Sequence, residues 1–322
     1  MTAPVALVAG ASRGLGLLIA GNLLDRGYRV AICARGAEEL ASAVATLRHR
    51  GAVTSHVCDV GHRDQVEALV SSLTAKHGQI DVLITVAGTI QVGPAESMTL
   101  KHFEEAISTM LWGPVQLTWA VLPQMRARRQ GRIGTIASIG GIIAPPHLLP
   151  YATAKFAAVG FSEGLATELS GTGVTSTTVV PGLMRTGSHE RALFTGKQGR
   201  EYAWFAPSAS LPFISMSAER AAAKIVEGVL AGEPHVALHP ITHLGIRVKG
   251  LAPSTTVRAL GLAGRLLPKS PSPAKSATIE GHVAARSLGS TAVDTLTMLG
   301  SRAARRLGQR VGRSSGADSQ SS

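Results

Sequence analysis

Pro4-Val5-Ala6-Leu7-Val8-Ala9-Gly10-Ala11-Ser12-Arg13-Gly14-Leu15-Gly16 runs from a short β-rich apolar stretch straight into a glycine-rich turn, and a helical pattern follows as far as Asp25. A strand that hands over to a helix through closely spaced glycines is the phosphate-binding corner of a dinucleotide fold. The glycines let backbone approach a pyrophosphate, and the helix N-terminus offers unpaired N–H groups and a positive field. The first 24 residues carry one charge, Arg13. They lack a basic leader region, and glycines at 10, 14 and 16 interrupt the apolar run, so they read as strand, turn and helix rather than a signal peptide or membrane span.

Outward from this corner, strand and helix patterns alternate. Strands are expected at Arg29–Ala34, Val53–Val57, Asp81–Val86, Arg132–Ala137, Val174–Val180 and His235–Leu238, and helices at Ala37–His49, His62–His77, Leu100–Arg128, Tyr151–Leu169 and Ala218–Leu230. Short apolar strands separated by helices of this length imply an α/β fold. We expect a doubly wound, Rossmann-like parallel sheet of about seven strands with helices on both faces, followed by a helical C-terminal extension. Right-handed crossovers then place the glycine turn at the carboxyl edge, where such sheets bind ligands.

The bulk properties agree. The chain has 322 residues, 45% of them hydrophobic and only 16% charged, enough for a large interior. Cys33 and Cys58, the only cysteines, fall near the ends of apolar strands and read as buried free thiols of a reducing, cytoplasmic compartment. The net charge of +12 is uneven. From Pro240 onward there are 12 Lys and Arg against 3 Asp and Glu, so the basicity belongs to the C-terminal part.

The chemistry is concentrated at Pro150-Tyr151-Ala152-Thr153-Ala154-Lys155. Tyr151 and Lys155 stand one helical turn apart on one face. An ammonium beside a phenol favours phenolate and lowers a pKa that is ordinarily about 10. A tyrosine tuned in this way can give or take a proton at a carbonyl or alcohol oxygen.

The order of these elements resembles the short-chain dehydrogenase/reductase family over about residues 5–240. The matching residues are Gly10-x-x-x-Gly14-x-Gly16, Asp59 after the third strand, Ala87-Gly88 after the fourth and Ser138 after the fifth, then Tyr151-x-x-x-Lys155 and Pro181-Gly182-x-x-x-Thr186. The resemblance implies hydride transfer between a nicotinamide and a carbonyl or alcohol carbon. It implies Tyr151 as general acid and base, Lys155 beside it and on the nicotinamide ribose, and Ser138 on the substrate oxygen. It implies a cofactor held by Gly10, Ser12, Arg13, Gly14, Leu15 and Gly16, by Asp59 and Val60 at the adenine, by Ala87 and Gly88 under the ribose, and by Pro181, Gly182, Met184 and Thr186 at the nicotinamide. No metal ligands are assigned. Arg35 ends the second strand with no carboxylate before Glu38, and Arg13 lies in the turn itself. Two guanidiniums suit a 2′-phosphate, so NADP(H) is expected over NAD(H). Homodimers or homotetramers are implied through the two long central helices.

Two residues depart from the family pattern. Met110 stands where an asparagine usually supports a proton relay, and a thioether cannot replace an amide's hydrogen bonds. Val86 stands where an asparagine usually precedes Ala-Gly. These departures motivate an alternative, a dinucleotide sensor or scaffold that keeps the fold without turnover. His147, in the loop before Tyr151, reads as a loop residue without a task more readily than as a substrate contact.

Three domain-level expectations complete the reading: a catalytic unit over 1–240, a basic helical extension over 241–313 and a disordered tail over 314–322. Residues 187–215, which hold Phe194, Tyr202, Trp204, Phe205 and Phe213, are a candidate substrate lid. Leu267–Ala277 reads as a linker. Residues 281–312 carry an apolar stripe and a cluster of arginines at the end. That pattern leaves open packing on the chain's own domain, a second subunit, or a peripheral contact with the inner membrane surface. Nucleic acid is not expected, because the extension has no aromatic residue to stack on bases.

Overall fold

The computed structural model describes residues 3–211, 215–269 and 277–309. Seven parallel strands form the central sheet: β1 (Val5–Ala9), β2 (Arg29–Ala34), β3 (Val53–Val57), β4 (Val82–Thr85), β5 (Gly131–Ile136), β6 (Val174–Val180) and β7 (His235–Ala237). Their order across the sheet is β7-β6-β5-β4-β1-β2-β3, with every neighbouring pair parallel. The direction of winding reverses between β1 and β4, which is the switch point where a doubly wound sheet opens a ligand crevice at its carboxyl edge.

β1 is buried along its whole length because both of its faces are covered. Ala6 and Val8 point to one side, where α1 (Gly14–Leu24), α2 (Ala37–Leu47) and α8 (Ala218–Ala231) close the core. Leu7 and Ala9 point to the other, against α3 (Arg63–His77), α5 (Gly113–Arg128) and the far end of α6 (Leu149–Glu168). The period-two alternation of strand side chains produces these two cores from one sheet.

The helical stretch expected over Leu100–Arg128 is interrupted. α4 (Leu100–Ile107) passes through a π-helical turn at Ser108–Trp112 before α5 begins. The candidate lid over 187–215 contains α7 (Gln198–Ser208). A three-stranded sheet ties it down by joining Gln91–Val92, Leu193–Phe194 and Ile279–Glu280. Phe194, Tyr202 and Phe205 form a buried aromatic core there, with ring centroids 5.6 and 5.8 Å apart from Phe194. Phe213 lies outside the described residues.

The extension consists of α9 (Pro240–Leu251), α10 (Pro253–Gly264), α11 (Gly281–Leu288) and α12 (Thr291–Arg306). Gly289, at φ 58°, breaks the continuous helix expected from residue 281 into α11 and α12. α12 buries Thr297, Gly300, Ala303 and Ala304, so its small-residue stripe packs on the chain's own domain. Arg306 pairs with Glu219 at the start of α8. Most of the linker expected over Leu267–Ala277 lies outside the described residues, as do Arg310, Arg313 and the 314–322 tail.

Candidate active site

Ser138 follows β5 and caps a short 3-10 turn, where its Oγ accepts a hydrogen bond from the Gly140 N–H at 3.0 Å. The next N–H, of Ile139, donates to the Pro181 carbonyl at 2.8 Å, so the β5 turn and the segment after β6 are fixed to each other. α6 then brings Tyr151 to the same place. Its ring lies so near Gly140 that a Cβ there would fall 3.0 Å from Cε1 and 3.4 Å from the Ser138 Oγ. Lys155, one turn later, is 5% exposed and has its Nζ 6.0 Å from the Tyr151 ring centre. Ser138, Tyr151 and Lys155 are therefore assembled by the fold at one spot on the carboxyl edge.

The electrostatics differ from the simplest expectation. Burial raises the Tyr151 pKa above its ordinary value, and the neighbouring Ser138 hydroxyl only partly opposes that. Lys155 is pushed down to about 8 by burial. Its ammonium donates to the Ile136 carbonyl at 2.6 Å rather than spending itself on the phenol. The lowering of the tyrosine anticipated from a Tyr-x-x-x-Lys pair is not found in this arrangement: desolvation raises the phenol, and Ser138 rather than Lys155 opposes it.

Met110 sits on the π-helical turn, fully buried, against Ala154 and Tyr151, and its Sδ would lie 3.3 Å from a Cβ at Gly88. A π turn re-aims one side chain out of helical register, and here it points a thioether under the candidate catalytic phenol. No amide or hydroxyl is delivered from residue 110.

The glycine turn meets a dinucleotide's needs through its backbone. A Cβ on Gly10 would run into the Ala87 N–H, and one on Gly16 into the Gly10 carbonyl. The chain is pressed to bare backbone where a pyrophosphate has to approach, with the N-terminus of α1 behind it. Ala87 is held at the end of β4, its N–H donating to Ala9 at 3.0 Å. Asp59 accepts from Gly61 N–H at 3.0 Å, and Val60 is buried beside it. Thr186 is buried, and its Oγ1 accepts from the Ser188 N–H at 3.3 Å; Met184 is half-buried on the short strand Leu183–Arg185. Leu15 and Ser12 lie at the start of α1 and in the turn before it.

Around the turn the structure adds partners that sequence alone did not supply. Glu39 curls back to lie 3.5 Å from Arg13 and 3.8 Å from Arg191. Arg35 is 74% exposed and reaches Asp59 at 4.0 Å. Arg191 also donates to the Gln309 carbonyl at 2.8 Å and pairs with Glu280 at 3.6 Å. The Gly14 N–H, at the N-terminus of α1, donates to the Leu307 carbonyl at 2.9 Å, and the Gln309 side chain lies over Gly14. The residues fit a dinucleotide, and the end of α12 rests on the phosphate end of that fit.

His147 has a task. Its Nδ1 bonds the buried Glu201 carboxylate at 2.9 Å, Trp204 Nε1 donates to the same carboxylate at 2.8 Å, and the His147 carbonyl accepts from Gly93 at 2.8 Å. It pins α7 to the loop ahead of Tyr151 from a left-handed backbone, φ 63°. Glu201 could not be singled out, since only the folded chain brings it within reach of position 147. Cys33 and Cys58 are buried free thiols, and the neighbouring Cys58 together with burial raises the pKa of Cys33.

A family model described as short chain dehydrogenase matches residues 4–193. A Streptomyces coelicolor protein provisionally named a ketoacyl reductase is 38% identical over 185 residues, covering 56% of this chain and 71% of that protein. The crystal structure of a short-chain dehydrogenase from Streptomyces avermitilis superposes with a TM-score of 0.70 at 28% identity, over 82% of this chain and 98% of that one. That of a tryptophan variant of actinorhodin polyketide ketoreductase with NADPH gives 0.66 at 31% identity, over 76% and 97%.

Proposed function

Because the chain belongs to the short-chain dehydrogenase family, oxidoreductases that act on carbonyl or alcohol groups with a nicotinamide cofactor, we propose that it is an NADP(H)-dependent carbonyl reductase or alcohol dehydrogenase for a fairly apolar substrate. The observation that carries this reading is the convergence of the Tyr151 ring and the Ser138 hydroxyl at Gly140, beside a buried Lys155. Tyr151 gives its phenolic proton to the substrate oxygen in reduction and takes it back in oxidation. Ser138 donates to the same oxygen and steadies the negative charge that develops there. Lys155, with a pKa near neutrality, replaces the tyrosine's proton by way of solvent, since Met110 carries no group that can pass one. The bound nicotinamide supplies or accepts the hydride.

The cofactor would lie along the glycine turn, with Asp59 and Val60 at its adenine, Ala87 and Gly88 under its ribose, and Pro181, Gly182, Met184 and Thr186 at its nicotinamide end. Arg13 and Arg35 favour the 2′-phosphate of NADP(H), in keeping with the NADPH in the actinorhodin ketoreductase structure. Residues 187–211, with Tyr151 packed against their aromatic core, form the substrate wall. Trp112, Trp119 and Phe156, exposed on the π turn, α5 and α6, fit association through those helices as a homodimer or homotetramer. Catalytic residues lie within 1–240, with 241–313 an accessory extension.

Purified chain incubated with NADPH and a panel of ketones and quinones tests the reading. Oxidation of NADPH by at least one apolar ketone is the expected result. Tight NADPH binding with no turnover on any of them would favour the sensor, the reading that Met110 motivates.

A further inference from the structure

α9 and α10 form a helical hairpin that buries almost nothing. α10 has no buried residue, and α9 buries only Thr242. Ile241, Leu244, Val248 and Leu251 recur at i, i+3, i+7 and i+10 and so make one stripe along α9. That stripe faces solvent, with exposures of 54, 61, 46 and 88%. Val257 and Leu262 of α10 are also exposed, as is Leu266 just beyond it. So many large apolar side chains on two successive helices form a patch, unlike isolated surface leucines. The charges are one-sided. Residues 240–269 hold Arg247, Lys249, Arg258, Arg265 and Lys269 and no Asp or Glu. Arg258, Leu262 and Arg265, at i, i+4 and i+7, interleave cation and apolar group on one face of α10.

We propose that this hairpin docks on the surface of an anionic lipid bilayer, with the α9 stripe in the headgroup layer and the arginines on lipid phosphates. Charge decides the occupant. A twofold contact with a second copy would set the same cations against themselves, whereas an anionic bilayer meets them with opposite charge over a broad area. Among the described residues no helix is long and apolar enough to cross a membrane, so the hairpin lies on the bilayer. Its inner side backs onto the loop between Ser138 and Tyr151. Gly245 lies against Ile143, where a Cβ would fall 2.9 Å from Cδ1, and Gly264 lies against Pro146. Docking therefore holds the loop beside the candidate active site close to the bilayer, just behind the docked helices, near the apolar phase from which an apolar substrate would arrive.

Flotation of the full chain with vesicles of phosphatidylglycerol and phosphatidylcholine, against vesicles of phosphatidylcholine alone, tests this. The expected result is co-flotation with the anionic vesicles only, lost in high salt. Two double variants, Leu244→Ser with Leu251→Ser and Arg258→Gln with Arg265→Gln, each lower the bound fraction by about tenfold. All four residues are exposed, so an unchanged melting temperature certifies the fold. Absence of flotation with anionic vesicles overturns the proposal, as does equal flotation of the variants and the parent. A concentration-dependent dimer that the leucine pair abolishes, without vesicle binding, overturns it in favour of a second copy. Docking does not rest on the reductase reading, and Tyr151→Phe leaves flotation unchanged.

Discussion

At Gly14 two regions of the molecule meet. One is the glycine turn, whose shape follows from glycines pressed to bare backbone, Gly10 against Ala87 and Gly16 against the Gly10 carbonyl, with a helix that begins soon after the apolar strand stops. The other is the end of the extension, which reaches the turn through contacts of long range, such as Arg191 to the Gln309 carbonyl, 118 positions apart. The first uses glycine to make room for a ligand. The second uses Gly300, Ala303 and Ala304 to fit a helix against a finished surface. The same economy of side chain thus serves access in one region and cover in the other, and perturbations that separate the two are the informative ones.

The widest separation is expected from chemistry. Tyr151→Phe removes the proton donor and keeps the ring that packs against Met110 and the aromatic core. NADPH-dependent ketone reduction should fall by about 10²- to 10⁴-fold in kcat/KM, with NADPH affinity unchanged, because no extension contact is touched. A variant that keeps most of its activity would move the acid to another residue and leave the site without its centre.

A second effect belongs to the domain alone. Lys155 titrates at about 8 when folded and near its ordinary, higher value when unfolded. Below pH 8 both states hold the proton and the native state bears the full cost of a buried ammonium. Between the two values only the unfolded chain holds it, so stability rises with pH. Relative to Lys155→Met, the parent should gain about 2 kcal/mol between pH 8 and 9.5, measured by urea unfolding across that range. A flat difference would mean that Lys155 is hydrated in solution.

A third sits where the regions touch. Arg13 lies among Glu39, Arg35 and Arg191, and Arg13→Gln should lower the preference for NADPH over NADH by about tenfold, read as the ratio of kcat/KM values. An unaltered ratio would give the 2′-phosphate to Arg35 or Arg191 instead.

How legible each region was follows from the range of its contacts. The sheet was readable because alternating strands and helices leave their period in consecutive residues, and the Tyr151 and Lys155 pair was readable because four positions make one helical turn. Glu39 left no sign of its place, since only the folded chain brings its carboxylate back to Arg13 and Arg191. Glu201 left no local sign at all, and neither did the contact of Leu307 with Gly14, which is carried by backbone. The extension's small-residue stripe was visible, but a stripe of Ala and Gly states only that something packs closely, and not what.

That last contact gives the finest test. The Leu307 carbonyl takes the Gly14 N–H, and Gln309 occupies the Arg191 guanidinium, both of which a cofactor phosphate could otherwise use. A chain ending at Ser290 loses α12 and returns both donors to the turn. One exchanged hydrogen bond corresponds to about a three- to tenfold change, so the truncated chain should bind NADPH more tightly by that factor in fluorescence titration. Gly300→Val supplies the same answer without truncation: its side chain would strike Ser210 and lie against His189, prising α12 from the domain. If both forms bind NADPH more weakly than the parent, the end of α12 helps to hold the cofactor, and its contact with Gly14 is the resting position of a clamp. Agreement between the two variants matters more than the size of either effect, because they share only the displacement of the helix.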